Sequence, residues 1–498
     1  CYSLKIQKNM KNLYIREIAR KLEVKDWQVE NCLILFENGN TIPFISRYRK
    51  EQTGGLDDSQ VAEIKHWGDV YSEMESRKTS ILQTIEKAGA LTIELKKQIE
   101  ECTDSSHLED LYLPYKPKRR TRATVAKELG LEPLADAIWK GNALSPQSDA
   151  RKYLSSVVKN TDEALSGARD IIAEKLSEEI KTREELRKIF RRGFLIVNYA
   201  KGGEEVASAE SYKNYENFSK PLDKISAHSL LAILRAEKEG VFKITINPRP
   251  GTEDVVYKSY CKEYGRPKTA ELASELQTAS EDSFKRLLSP SISNEVLKEA
   301  KQKADIESIR VFGENLKQLL LESPVGEKRT LAIDPGFRNG CKLAVLNENG
   351  NILHHEVIFP HPPQNEKIKA LTRLEDIISK YNIEAIAIGN GTASRETSDF
   401  LKRVDLPQNC KIWTVSEDGA SIYSASDAAR KEMPDLDVYA RGAVSIGRRL
   451  MDPLAELVKI DPKNLGIGQY QHDVDQNLLK EKLDNTIETC VNMVGVNL

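Results

Sequence analysis

Apolar residues recur every three and four positions through residues 13–110, with charged residues between them, the period of helices that bury one face. VAEIKHWGDVYSEMESRKTSILQTIEKAG is one such run, and Gly89 closes it. Between two of these helices, NGNTIPFISRYRKEQTGGLDD is punctuated by Asn38-Gly39 and Gly54-Gly55 and projects Arg47, Arg49 and Lys50. In EDLYLPYKPKRRTRATVAKELGLEPLADAI, Pro114 and Pro117 block helix, and Thr121 or Thr124 is placed to cap the helix that follows. Helical patterning dominates residues 124–192. Residues 193–260 are mixed, with FKITINPRPG alternating like a strand. A long helix is predicted over 291–322, apolar at Ile292, Val296, Ala300, Ala304, Ile309, Phe312, Leu316 and Leu320 and stopped by Pro324 and Gly326. A helix of that size spans about 45 Å, enough for a strut between domains.

The pattern then changes. TLAID, CKLAVLN and ILHHEVIF read as three strands, the last two joined at Asn349-Gly350. A helix (KIKALTRLEDIISKYN), a buried strand (EAIAIG), a glycine-rich loop (NGTASRET), another helix and a strand (CKIWTV) follow, with helices around SASDAARKE and AVSIGRRLMDPLAELV. Beyond Val458, IDPKNLGIGQY is loop-like, and a last helix ends at Val494-Gly495. Three antiparallel strands followed by α-β-α-β-α is the element order of a ribonuclease-H-like domain. The expected fold class is therefore multidomain and mainly α, with one α/β ribonuclease-H-like domain. Fold alone does not give function.

At 498 residues, two to four domains are expected. The 30% charged and 40% hydrophobic content, with few aromatics, suits well-solvated helix faces. A net charge of −2 means that any argument for a polyanionic partner must be local. Seven scattered cysteines with no CxxC pair suggest neither zinc nor disulfides, and so the reducing interior of a cell. No run approaches the roughly 18 apolar residues of a membrane span, and no signal-peptide core is present. The chain begins at Cys1 rather than Met, which suggests a piece of something longer.

Nucleases on this fold clamp the scissile phosphate between two divalent metals, each needing several carboxylate oxygens. The acids come from the first strand, the end of the fourth strand and a helix near the end of the domain. Asp334 fills the first place, but Gly389 and Asn390 stand where the second acid belongs, and Glu396 is too far along the loop. Asp452 is the best third candidate, with Glu417 and Asp427 weaker, and Arg448 and Arg449 beside Asp452 are placed to pair with it. One firm acid of three makes no two-metal site, so Asp334 reads as bonded to its own turn through Gly336. No metal or cofactor is expected: the histidines lack partners at ligand spacing, no GxxxxGK[ST] is present, and a second Asp-x-Gly phosphate loop is missing.

YKPKRRTR is the strongest positive signal. Lys116, Lys118, Arg119, Arg120 and Arg122 place five positive charges in eight residues of a near-neutral chain. Prolines hold the stretch extended, with Tyr112 and Tyr115 as nearby rings, which suits contact with a phosphate backbone. A solvated loop and a nuclear-import signal are the competing readings of KPKRR.

PFISRYRKEQTGGLDD, EDLYLPYKPKRRTRATVAKELGLEPLADAI, AIDPGFRNGCKLAV, IGNGTASRET, YSASDAARKE and RGAVSIGRRLMDPLAELVKIDPKNLGIGQYQHDV together resemble the Tex family of transcription accessory proteins, collinearly from about residue 13 onward. That family is related to the elongation factor Spt-six and includes eukaryotic-type members with an S-one RNA-binding domain. The resemblance implies a helical N-terminal region (1–115), a helix-turn-helix-like part (116–192), a mixed region with the long helix (193–326), a ribonuclease-H-like domain of the YqgF type (327–458), and a linker entering a helix-hairpin-helix module (459–498). VNMVGVNL resembles the entry to that module, so the OB-fold RNA-binding domain would lie beyond this chain. FRNGCK, with Asn339, departs from the family's usual FRTGCK.

The expected function is a catalytically silent nucleic-acid-binding scaffold in transcription or RNA metabolism. It would be monomeric, holding RNA or DNA through the 116–122 stretch helped by Arg47, Arg49 and Lys50, with transcription-machinery proteins as further partners. It would work in the nucleus if eukaryotic and in the cytoplasm otherwise. Two alternatives stand: a structure-selective nuclease using Asp334 and Asp452 with Mg²⁺ or Mn²⁺, and a protein-interaction platform built on the long helix.

Overall fold

The computed structural model describes residues 2–117, 119–143 and 145–494, with side chains from residue 12 onward. Two compact units divide between Ala304 and Asp305.

In the first unit the helix ends are set by local side chains. Asp57 accepts from the Gln60 amide (2.8 Å), and Gln60 Oε1 accepts from the Asp57 amide (3.2 Å). This reciprocal cap starts the helix Asp58–Lys87, and Gly89, at φ 68°, lets the chain turn away after it. Thr92, Asp104 and Thr121 cap the helices that follow, each side chain accepting from the amide three residues on. The apolar stripes of these helices meet in one core around Ile18, Val29, Ile45, Ile64, Ile81 and Ile99. Further along, β1 (Phe194–Tyr199), β2 (Ser219–Pro221) and β3 (Phe242–Asn247) form an antiparallel sheet in the order β2-β1-β3. β3 is the alternating stretch FKITIN.

A buried ionic knot ties three helices of this unit. Asp110, on the helix Ser105–Tyr112, accepts from Arg183 Nε (2.7 Å) and from Arg187 Nη1 and Nη2 (both 2.6 Å). Both arginines come from the helix Ile180–Phe190 and also pair with Glu295 of the long helix.

The long helix starts earlier than its periodicity suggests. Ser289–Leu320 continues from Ala270–Asp282 through one widened, π-helical stretch, Ser283–Leu288. Pro290 reads as a helix start, because it lacks an N–H and its ring collides with the preceding turn. The widened stretch just before it makes room for that ring, so the helix runs through.

In the second unit, β4 (Thr330–Asp334), β5 (Cys341–Leu346), β6 (Ile352–Ile358), β7 (Ala385–Gly389) and β8 (Lys411–Val415) make a mixed sheet in the order β6-β5-β4-β7-β8. β4 is antiparallel to β5 and parallel to β7. Alternate residues face opposite ways. Leu331, Ile333, Leu343, Val345, Ile386 and Ile388 share a core with Leu374, Ile377 and Phe400 from the helices Lys367–Tyr381 and Ser394–Leu401. The other face carries alanines (Ala332, Ala344, Ala385, Ala387), which allow the helix Val438–Met451 to approach closely. A Cβ on Gly447 would stand 2.9 Å from that of Ala332.

RLMDPLAEL does not form one helix. Asp452 leaves helical geometry (φ −148°, ψ 93°) and caps a new helix, Pro453–Leu457, by accepting from the Ala455 amide at 3.1 Å. Pro453 enforces the break, since the residue before proline is pushed away from helical angles. The VNMVGVNL segment reaches into residues 495–498, outside the described residues. Among the described residues, no helix is long and apolar enough to cross a membrane.

Candidate functional site

The carboxyl ends of β4, β7 and β8 bring four side chains together. Asp334 ends β4, and its partner across the antiparallel register is Lys342 of β5. The Lys342 ammonium lies 3.4 Å from Asp334 Oδ2. Asp334 therefore directs its charge to a strand neighbour rather than to its own turn at Gly336. β7 then ends at Gly389, where the second acid of a nuclease would stand.

That gap is filled in space. β8 runs parallel to β7 with Val415 opposite Gly389, which carries Glu417 beside the glycine loop. A Cβ on Gly391 would fall 1.6 Å from Glu417 Oε1, and one on Gly389 would fall 2.3 Å from Oε2. The two glycines form the floor on which this carboxylate rests. Asn390 Oδ1 accepts from the Glu417 amide at 3.1 Å, so Asn390 positions the acid instead of replacing it. Glu417, the weaker candidate by sequence, is the acid that meets Asp334. The legible signal is an acid two residues beyond a strand that pairs in parallel with β7.

Asp452 does not join them. Its carboxylate is the helix cap described above. Its neighbours do not pair with it either. Arg448 reaches Glu432 (2.6 Å) and the Gly350 carbonyl (2.9 Å). Arg449, 3% exposed, donates Nη1 to the carbonyls of Ser416 (2.7 Å) and Asp418 (2.9 Å). It thereby grips the loop that presents Glu417. Asp427 is a surface residue paired with Arg430 at 3.5 Å.

This donor set does not fit a two-metal clamp. Two carboxylates share the site with an ammonium that already supplies the positive charge. Among the described residues, no group of three or more His, Cys, Asp or Glu is placed to hold a metal ion. Burial pushes the Asp334 carboxyl above its ordinary range, with Lys342 opposing. Burial, and then the charge of Asp334, pushes Glu417 up as well. Both groups hold a proton more tightly when folded, so the folded state binds the extra protons and stability falls as pH rises through the carboxyl range. Glu417→Gln removes that loss. Thermal melts of variant and parent are expected to coincide below the ordinary glutamate pKa and to separate in the variant's favour toward neutral pH. Separation the other way would show the carboxylate to be a net stabiliser.

The basic stretch lies in the first unit. A short turn at Leu113–Tyr115 ends at Lys116, which is extended, and so is Thr121, whose Oγ1 accepts from the Thr124 amide (3.0 Å) to start the helix Arg122–Glu128. Lys116, Arg119, Arg120 and Arg122 are exposed; Lys118 lies outside the described residues. Arg120 pairs with Glu128 at 2.7 Å, a solvent-facing contact. The rings are less available than the sequence suggests. Tyr112 is buried with the Arg77 guanidinium 5.2 Å over its face, because it belongs to the apolar side of its helix, and Tyr115 is half-buried. The earlier stretch is helical rather than a loop: Arg47, half-buried, lies in the helix Ile42–Tyr48, exposed Lys50 starts the helix Lys50–Thr53, and Arg49 between them stacks over Phe44 at 4.6 Å.

Strand order, the single acid ending the first strand and the flanking helices define a ribonuclease-H-like domain in a largely helical protein. Residues 328–451 match the Tex protein YqgF-like domain, residues 12–86 the Tex-like protein N-terminal domain, and residues 141–312 the Tex central region-like family. The chain is 44% identical over 493 residues to the uncharacterized protein YdcI of Bacillus subtilis, covering 97% of this chain and 68% of that one. It is 41% identical to the transcriptional accessory protein Tex of Neisseria gonorrhoeae (97% and 64% covered). It is 35% identical to the human S1 RNA-binding domain-containing protein 1 (97% and 50% covered). The chain belongs to the Tex family, and it spans between half and about two thirds of these relatives' own lengths.

Proposed function

We propose that this chain is a nucleic-acid-binding scaffold of the transcription accessory type, holding RNA or DNA by the phosphate backbone and performing no cleavage. The observation that carries the reading is the exposure of Lys116, Arg119, Arg120 and Arg122, the first three ahead of the Thr121 cap and Arg122 in the first turn of the helix that it starts. Arg47, Arg49 and Lys50 are the supporting contacts. A gonococcal relative named a transcriptional accessory protein and a human one named for an RNA-binding domain support the setting. Lys342 beside Asp334 supports silence, since the internal cation takes the role that a metal would serve in a nuclease. The organisation that goes with this reading keeps the five regions 1–115, 116–192, 193–326, 327–458 and 459–498. Transcription-machinery proteins are its further partners, met by a monomer.

The test is a titration against labelled single-stranded RNA and duplex DNA at several salt concentrations, with and without Mn²⁺. Arg119→Gln with Arg120→Gln is expected to weaken binding to all sequences alike. The salt slope should flatten by about 0.9 for each duplex phosphate that is no longer neutralised. An unchanged slope would make the stretch ordinary surface. No binding at low salt would leave a protein-interaction platform. Mn²⁺-dependent cleavage that disappears in Asp334→Asn would replace the scaffold with a nuclease.

A further inference from the structure

A concave site lies in the ribonuclease-H-like domain, beside the acids. The loop after β4 folds back against β6, and Gly340 makes that contact. Its φ is +71°, and a Cβ there would stand 2.7 Å from the Ile358 carbonyl oxygen and 2.8 Å from the Phe359 ring. Loop, β5–β6 face and the start of the helix Val438–Met451 enclose a cavity of about 450 Å³. That lies within the range of small-molecule clefts.

Its walls are of two kinds. Val357 and Phe359 give apolar surface, and Tyr439, a residue 57% exposed, adds an aromatic ring with the Lys342 ammonium 5.6 Å from its centre. Arg338 and His355 are exposed, and among the described residues neither side chain has a hydrogen-bond or ion-pair partner. The acids at the rim are occupied. Glu356 is held by Arg373 (2.7 Å) and His354 (2.8 Å), and Asp437 caps its helix through the Ala440 amide (2.7 Å); the ammonium of Lys342, which also lines the cavity, is paired with Asp334. A ring with open surface, a flat apolar wall and an uncommitted guanidinium select a ligand that is planar at one end and anionic at the other.

We infer that this cavity binds a nucleoside monophosphate group, with the base against Tyr439 and the phosphate on Arg338. The same chemistry is presented by a free nucleotide and by the 5′-phosphorylated end of a strand. The site goes beyond the scaffold reading and uses none of its contacts, so either can fail alone.

The experiment is calorimetric titration of the full chain with AMP, with adenosine and inorganic phosphate as controls, and then with a short oligonucleotide carrying a 5′-phosphate or a 5′-hydroxyl. AMP is expected to bind more tightly than adenosine or phosphate. Arg338→Ala and Tyr439→Ala should each weaken it on the order of tenfold, while Tyr439→Phe retains it. Both positions are exposed, and melting curves check that the variants fold; Arg338→Gln gives a second, milder removal of the charge. Binding of AMP without preference for the phosphorylated oligonucleotide assigns a free nucleotide. A phosphorylated oligonucleotide that binds more tightly than its 5′-hydroxyl counterpart while AMP does not bind assigns a strand end. Adenosine binding as tightly as AMP, binding unchanged in both alanine variants, or no binding of AMP together with no preference for the 5′-phosphate over the 5′-hydroxyl oligonucleotide overturns the site.

Discussion

Asp110→Ala is expected to destabilise the first unit by about 3–5 kcal/mol, the range for removing one partner from a buried ion pair. The Asp110 side chain is 2% exposed, and those of Arg183 and Arg187 are 5% and 4% exposed. Burial works against the Arg187 charge, and Asp110 and Glu295 more than offset it, so its pKa stands above the ordinary guanidinium value. Without Asp110, the two buried guanidiniums keep Glu295 as their one acid, with the Ser177 carbonyl and the Ser291 hydroxyl as neutral acceptors for Arg183. Urea unfolding followed by tryptophan fluorescence would show the loss as an earlier transition of the first unit. A double-mutant cycle with Arg187→Met separates the pair's coupling from the cost of the orphaned charge. A loss below about 1 kcal/mol, the size of a solvent-exposed pair, would mean that water reaches the knot.

Lys342→Met is the second large effect. Methionine keeps the stem's apolar packing and removes only the cation. Asp334 is then left to face Glu417 with no internal counter-charge. The expected loss at neutral pH is about 2–3 kcal/mol, below the fully buried range because Asp334 keeps part of its surface in water. Its pH dependence is the diagnostic. With the ammonium gone, both carboxyls bind protons more tightly still, so the deficit should shrink as pH falls through the carboxyl range. A deficit constant with pH would mean that Lys342 acts through packing alone and that the acids are already neutral.

These two sites differ in how much of them is legible in the residues. The periodicity of residues 58–87, with Asp57 and Gln60 at its start and Gly89 after it, specifies that helix almost to its ends. The strands TLAID, CKLAVLN, ILHHEVIF, EAIAIG and CKIWTV each form, because alternation and β-branched content act within a few residues. The start of the long helix is not legible, because a proline that locally signals a beginning is accommodated by a widened turn. Asp452 misleads for a related reason: Asp-Pro inside an apolar periodic run is a helix cap, and the chemistry of capping competes with that of metal binding for the same carboxylate.

What the sequence by itself determined is therefore local: caps, periods, a cluster of cations, and a likeness to the Tex family carried by long collinear motifs. The tertiary structure decided who meets whom. Glu417 reaches Asp334 because β8 pairs with β7 in one register, over glycines that leave room for a carboxylate. Lys342 neutralises Asp334 because β5 returns antiparallel beside β4. Arg449 holds the Glu417 loop from a helix more than thirty positions away, and Asp110 meets Arg187 across 77 positions. A cap or a period is settled by atoms within one turn of chain, whereas a charge finds its partner only after sheet order and helix packing have fixed which distant residues share a buried space.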